Sequence, residues 1–226
     1  MSPFFIHIPK NGGMTIRKSP LIKVQAATTQ THRPGYTRRL CAKMDAIGDH
    51  HGIEHARWKD INPAVWDLCR PFAIIRNPWD RVVSRYFFAK KVIEVEKKVK
   101  PSYADVSSFE AFLEERHKWG HEEFMWHRAV RGWYPAFEHV VDPATGKIAS
   151  NIDILRFESY DEDFQDYFRV LEKPKPRNVT ALNRGSYRDI YTPETIQIVA
   201  DWYQTDIDTW GYDFDSGPTR NTWKLK

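Results

Sequence analysis

A chain of 226 residues with 41% hydrophobic and 28% charged side chains has the apolar material for one packed core, expected to span residues 1–226, and is too apolar for a disordered tail. Lys and Arg outnumber Asp and Glu by only 34 to 30, which suits an anionic ligand but leaves no electrostatic footprint for nucleic acid. Two cysteines, Cys41 and Cys69, exclude a disulfide framework and fit no zinc pattern, and no apolar run approaches the roughly 20 residues of a membrane span, so a soluble cytoplasmic protein without a leader is expected.

Phe4 to Ile8 is a short apolar run of the kind a central parallel strand presents, broken at once by Pro9 to Gly13. Met14 to Ser19 opens a helix that Pro20 stops, and residues 20 to 36 have no period and are taken as irregular. Thr37 to Ile47 reads as a helix with Thr37 as its cap and Leu40, Met44 and Ile47 on one face. Asn62-Pro63 starts a short helix through Cys69, which Pro71 ends. Phe72 to Ile75 is a second buried strand, and Asn77-Pro78 repeats the cap signal for a helix through Tyr86 toward Lys98.

Ser107 and Glu110 have the spacing of a capping box for a helix to about Lys118. Strand, turn and strand follow over Val140-Val141, Asp142 to Gly146 and Ile152 to Leu155, and Tyr160 to Leu171 is helical in period. Lys173 to Ser186 is a basic loop. Thr192-Pro193 caps the last helix, whose Ile196, Val199, Tyr203, Ile207 and Trp210 form one apolar face before Gly211. The lysines of residues 90 to 100 make a solvated face.

Two of these junctions have a use beyond folding. After the first strand, glycines at Gly12 and Gly13 let main-chain amides turn inward, the following helix start is electropositive, Thr15 adds a hydroxyl and Lys10 a full charge. Such a turn can hold a phosphate, or be an ordinary strand-turn-helix with a surface lysine, and the Walker order of glycine, lysine and then serine or threonine is absent. After the second strand, Arg76 again stands at a strand end and Ser84 lies two turns into the next helix, so both can face one phosphate. Asp80 is expected as a helix-start acid and Arg81 as a surface or ion-pair residue.

The segments FIHIPKNGGMTI and FAIIRNPWDRVVSRYFF resemble the two donor-binding segments of carbohydrate sulfotransferases, including the heparan sulfate 2-O- and 6-O-sulfotransferases and bacterial relatives. Ile154 to Glu158 and the closing Tyr203, Asp206, Ile207, Trp210, Gly211, Tyr212 and Phe214 extend the likeness. It implies an α/β, P-loop-like three-layer fold with a central, mainly parallel sheet flanked by helices. It implies 3′-phosphoadenosine 5′-phosphosulfate (PAPS) as co-substrate, PAP as product and no metal. Lys10, Asn11, Gly12, Gly13, Met14 and Thr15 would then hold the 5′-phosphosulfate, and Arg76 and Ser84 the 3′-phosphate. Asn11 and Met14 stand where the family usually has threonine. Asn11 retains hydrogen-bonding capacity, which Met14 lacks.

The same resemblance places a general base at His55; His51 and His127 are alternates among the nine histidines, and His7, within the first strand, is read as a packed core histidine. It places Arg184 and Tyr187 in a loop that closes over the nucleotide, the arginine toward the 3′-phosphate and the tyrosine against adenine. Trp119, Trp126, Trp133 and Tyr134 suit either a sugar cleft or, preferably, the core. The implied acceptor carries a free hydroxyl, a glycan being favoured, with no nucleic-acid partner. A P-loop-like kinase or nucleotide hydrolase, and a non-catalytic polyanion-binding module using the Lys90 to Lys100 face, remain the competing readings.

Overall fold

The computed structural model describes residues 1–48, 50–123, 132–177 and 186–225. Its centre is a four-stranded parallel sheet built from β1 (Ser2–Ile6), β2 (Gln25–Ala26), β3 (Cys69–Ile75) and a fourth strand at Asp153–Arg156, in the order β2-β1-β3-fourth. The register sets Phe5 beside Phe72 and Phe72 beside Asp153. A small antiparallel hairpin, β4 (Val141–Asp142) and β5 (Lys147–Ile148), precedes that fourth strand, which is β6.

Both faces of the sheet are covered, which is why its strands are continuously apolar. Phe4, Ile6, Ala73 and Ile75 point to one side. There they meet α2 (Pro34–Ile47), α3 (Pro78–Lys90), α4 (Phe109–Trp119), α7 (Pro193–Trp202) and α8 (Gln204–Trp210) through Leu40, Val82, Phe112, Val199 and Trp210. Phe5, Phe72, Ile74 and Leu155 point to the other, against α1 (Gly13–Arg17) and α6 (Tyr160–Phe168) through Ile16, Phe164 and Tyr167. This is the expected α/β three-layer arrangement. From β1 the chain steps out to β2 and then returns to the opposite side of β1 for β3. The strand order reverses there, and the crevice beyond the carboxyl ends of β1 and β3 is where open α/β sheets bind ligands.

Several boundaries differ from the sequence reading. The stretch taken as irregular contains β2, a two-residue edge strand too short to carry a periodic signal. Helix α2 starts at Pro34, and Thr37 lies inside it with its hydroxyl donating to the Thr29 carbonyl. The short helix after Asn62 is one 3-10 turn, Pro63–Val65, and β3 already begins at Cys69 and runs through Pro71. Pairing with β6 starts only at Phe72, so Pro71 has a neighbour on one side and its missing N–H costs no ladder bond on the other.

The α4 cap is Ser108, accepting from the Ala111 N–H, because the Ser107 hydroxyl is engaged by Asp105. The last helix is two, interrupted at Tyr203, yet Val199, Tyr203 and Trp210 all reach the core. Cys69 is a buried free thiol and Cys41 a half-buried one. Among the described residues no helix is long and apolar enough to cross a membrane.

Candidate active site

The turn after β1 is held in a strained shape. Lys10 has φ 69°, a left-handed conformation that costs an L-residue free energy, and Gly12 follows at φ 78° as the cap of α1. The Tyr160 hydroxyl donates to the Gly12 carbonyl at 3.2 Å, fixing the turn from α6. In the first turn of α1 the Thr15 N–H is taken up by the Gly12 carbonyl at 3.0 Å. Thr15 is buried, its hydroxyl accepting the Arg177 N–H at 3.0 Å, so the described part of the basic loop runs over α1. Met14 is half-buried.

Asn11 behaves differently from the expectation that its side chain meets phosphate. It is fully buried and donates to the Ile74 carbonyl at 2.7 Å, pinning the turn to β3. What remains of Asn11 for an anion is its main-chain N–H.

Gly13 packs flat on the His7 imidazole, and an added Cβ would lie 2.0 Å from His7 Nε2. His7 has little room to yield, being stacked on Phe5 and beside His55. Gly13→Ala is therefore expected to destabilise the protein by about 1–3 kcal/mol, as overpacking does, read as a lower urea midpoint at constant m-value.

The turn after β3 meets the first. Arg76, 5% exposed, donates through Nη1 to the Lys10 carbonyl at 2.9 Å and through Nε to Asp80 Oδ2 at 2.7 Å, with its guanidinium 4.0 Å from the centre of the Phe157 ring. Asp80 thus opens α3 as expected, and also holds Arg76 in place. Asn77 caps α3 by accepting from the N–H groups of Trp79 and Asp80, and its own N–H donates to Glu158, whose carboxyl is pushed up by burial.

Arg81 departs furthest from the sequence reading: it is completely buried. Its guanidinium donates to three main-chain carbonyls, of Pro9 at 3.1 Å, Tyr134 at 3.0 Å and Gly132 at 3.2 Å. It therefore ties the turn after β1 to the segment entering α5 (Phe137–Val140). Asp206 anchors the same segment by accepting from Ala136 and Phe137, and burial pushes its carboxyl up to about 6 against the pull of Arg81.

Ser84 is buried three residues past Arg81, and Phe88 follows one turn later on the same face. The Lys10 ammonium lies 4.2 Å from the Phe88 ring centre, a cation-π contact that keeps it beside α3. Lys10, Arg76 and the α3 face thus converge on one crevice.

His55 enters from the 3-10 turn Ile53–His55 and is buried. Its Nδ1 pairs with the His7 carbonyl at 2.8 Å, three residues before Lys10. Since a carbonyl only accepts, Nδ1 carries a proton, and in the neutral imidazole the lone pair is on Nε2. His51 is exposed, and His7 is buried as expected.

Tyr187 opens a 3-10 turn, Tyr187–Ile190, packed against α3; its hydroxyl donates to the Phe214 carbonyl, its ring meets Phe214 edge-on, and burial pushes its phenol up to about 12. Arg184, Trp126 and His127 lie outside the described residues. Trp133 is 2% exposed with Arg85 stacked 3.7 Å over it, the core role preferred for it.

Sequence reasoning missed Tyr160, Arg177, Phe88 and the central position of Arg81. The first two come from distant segments with no local signal. Phe88 is signalled only by its spacing of four from Ser84.

A family model described as "Sulfotransferase family" matches residues 5–213. Among solved structures, mouse sulfotransferase SULT7A1 complexed with PAP is similar at 13% identity and a TM-score of 0.50, over 91% of this chain and 84% of that one. A sulfotransferase from Alicyclobacillus acidocaldarius matches at 16% identity and a TM-score of 0.44, over 94% and 96%. No curated protein matches the chain.

Proposed function

The chain belongs to the sulfotransferase family, and from that premise we propose that it moves the sulfuryl group of PAPS to an acceptor hydroxyl, with a glycan the favoured acceptor. The observation that carries the reading is the bond from Arg76 to the Lys10 carbonyl, because it joins the two phosphate-type turns into one crevice. One bisphosphorylated adenosine then spans them, its 5′-phosphosulfate at the β1 turn and its 3′-phosphate at Arg76 and Ser84.

The first turn offers main-chain N–H groups of Asn11 to Met14 and the ammonium of Lys10. On donor binding Lys10 leaves the Phe88 ring for the bridging oxygen between phosphorus and sulfur. The acceptor hydroxyl gives its proton to His55 Nε2 as its oxygen bonds to sulfur. The bond from sulfur to the 5′-phosphate oxygen breaks in line, and PAP departs with the charge that Lys10 neutralises. Arg76, whose Nε and Nη2 face Asp80 and whose Nη1 holds the Lys10 carbonyl, gives its charge and remaining N–H groups to the far end of the nucleotide. Tyr187, beside α3, and Arg184 are assigned to the nucleotide's adenosine end. No step calls for a metal ion.

PAP is expected to raise the melting temperature more than ATP with magnesium, since a ligand selective for the native state stabilises it by mass action. Differential scanning fluorimetry decides the matter. A larger shift with ATP and magnesium would favour a kinase or hydrolase, and no shift with either would favour a polyanion-binding module.

A further inference from the structure

A proton arriving on His55 Nε2 needs a counter-charge, because the ring is 8% exposed and its surroundings lean positive. His7 of β1 lies beside it, with 4.3 Å between ring centres, and His139 of α5 is close enough to feel its charge. Burial, with Arg81, Arg57, His55 and Lys59 around it, keeps His139 well below the usual histidine range, so that imidazole brings no negative charge.

The acid beside His55 is Glu54, whose Oε1 is 3.9 Å from Nε2. The same oxygen accepts from Arg17 Nη1 at 3.0 Å. We propose that Glu54 is the counter-ion of the His55 imidazolium, and that Arg17, the last residue of α1, sets how much of that charge His55 feels. Glu54 is thus a positioning residue that acts through His55, and the role rests on the proposed function.

The separation suits the task. At 3.9 Å Glu54 is too far to hydrogen-bond Nε2, so the lone pair stays open to the acceptor hydroxyl. It is still within the roughly 4–6 Å at which an opposite charge favours the ionised form. The acceptor proton moves to Nε2 as its oxygen bonds to sulfur, and water removes it after PAP has left; Glu54 takes no proton in the step. A plain surface ion pair would contribute little. This one is half sunk, its side chains 35% and 26% exposed, and it ties the helix that starts at the β1 turn to the turn carrying His55.

His55 is a base only when unprotonated, and a neighbouring carboxylate raises the pH at which it takes a proton. Glu54→Gln should therefore lower the midpoint of the His55 ring titration, followed by NMR in the full chain without donor, by about half to one pH unit, a modest shift because the carboxylate is partly solvated. The His55 signal is identified by its loss in His55→Ala. Arg17→Met should raise the midpoint by removing the charge that offsets Glu54. The acid limb of the kcat profile should follow in each variant, and the Glu54→Gln plateau should drop about three- to tenfold because the base is weaker. The PAP-induced rise in melting temperature should be kept.

A midpoint unmoved by Glu54→Gln, or lowered by Arg17→Met, would overturn the assignment. Loss of the PAP effect in Glu54→Gln would also overturn it, by making the pair a brace of α1. A midpoint that moves while the kcat profile stays put would instead take the base role from His55, and with it the part of Glu54 in transfer.

Discussion

Lys10→Ala is expected to lower turnover by roughly 100-fold or more, the usual cost of removing one preorganised charge from a developing anion. The ammonium is the one full positive charge carried by the β1 turn itself between Pro9 and Ile16. The backbone supplies a useful control. Lys10 sits at φ 69°, so Lys10→Gly removes the same charge while relieving the left-handed strain. The glycine variant should therefore match the alanine variant in lost turnover while melting no lower than the parent chain. Assays of transfer from labelled PAPS, paired with melting curves, separate the two effects. Turnover within threefold of the parent in Lys10→Gly, by the same order-of-magnitude measure, would remove Lys10 from the transfer step.

His55→Ala should be nearly as damaging, again roughly 100-fold or more in turnover, as expected when a positioned general base is lost. Its signature differs from that of Lys10. In the proposed complex the β1 turn and Arg76 hold the nucleotide, so the PAP-induced rise in melting temperature should survive in His55→Ala. The substitution also opens a small space beneath the His7 carbonyl, where added imidazole can restore part of the rate. A fully active His55→Ala chain would take the base role away from this residue, and the exposed His51 would be the next candidate to test.

The two effects are linked through His7. Its carbonyl fixes the tautomer of His55, and its ring is the surface on which Gly13 lies. A change at Gly13 therefore reaches both the β1 turn and His55. The sequence places His7 in the core, and the structure agrees. Its burial is nevertheless what couples the two halves of the site.

Much of the architecture was legible without coordinates because it rests on local chemistry. Phe4 to Ile6 and Phe72 to Ile75 are apolar on both faces because helices cover both faces of the sheet, and that leaves a continuous run in the chain. Asn77-Pro78 and Thr192-Pro193 announce helix starts because a side-chain acceptor and a fixed φ act within one turn. The glycines of the first turn and the basic residues at both strand ends could be found for the same reason, and so the sequence alone determined where the phosphate-type turns lie.

Tertiary structure decided what those turns do to each other. Only the parallel pairing of β1 with β3 brings Arg76 onto the Lys10 carbonyl, across 66 positions of chain. Local reasoning made Arg81 a surface or ion-pair residue because arginines usually stay wet or paired. In the fold it is dry, since three main-chain carbonyls from two distant segments converge on it and accept from its guanidinium. Asn11 likewise looked like a phosphate ligand by type, and became a bolt between strands because the Ile74 carbonyl at the end of β3 lies within its reach. Propensity and capping act over a few residues and can be read along the chain. Which donor finds which acceptor depends on strand order and register, and those exist only once the sheet has formed.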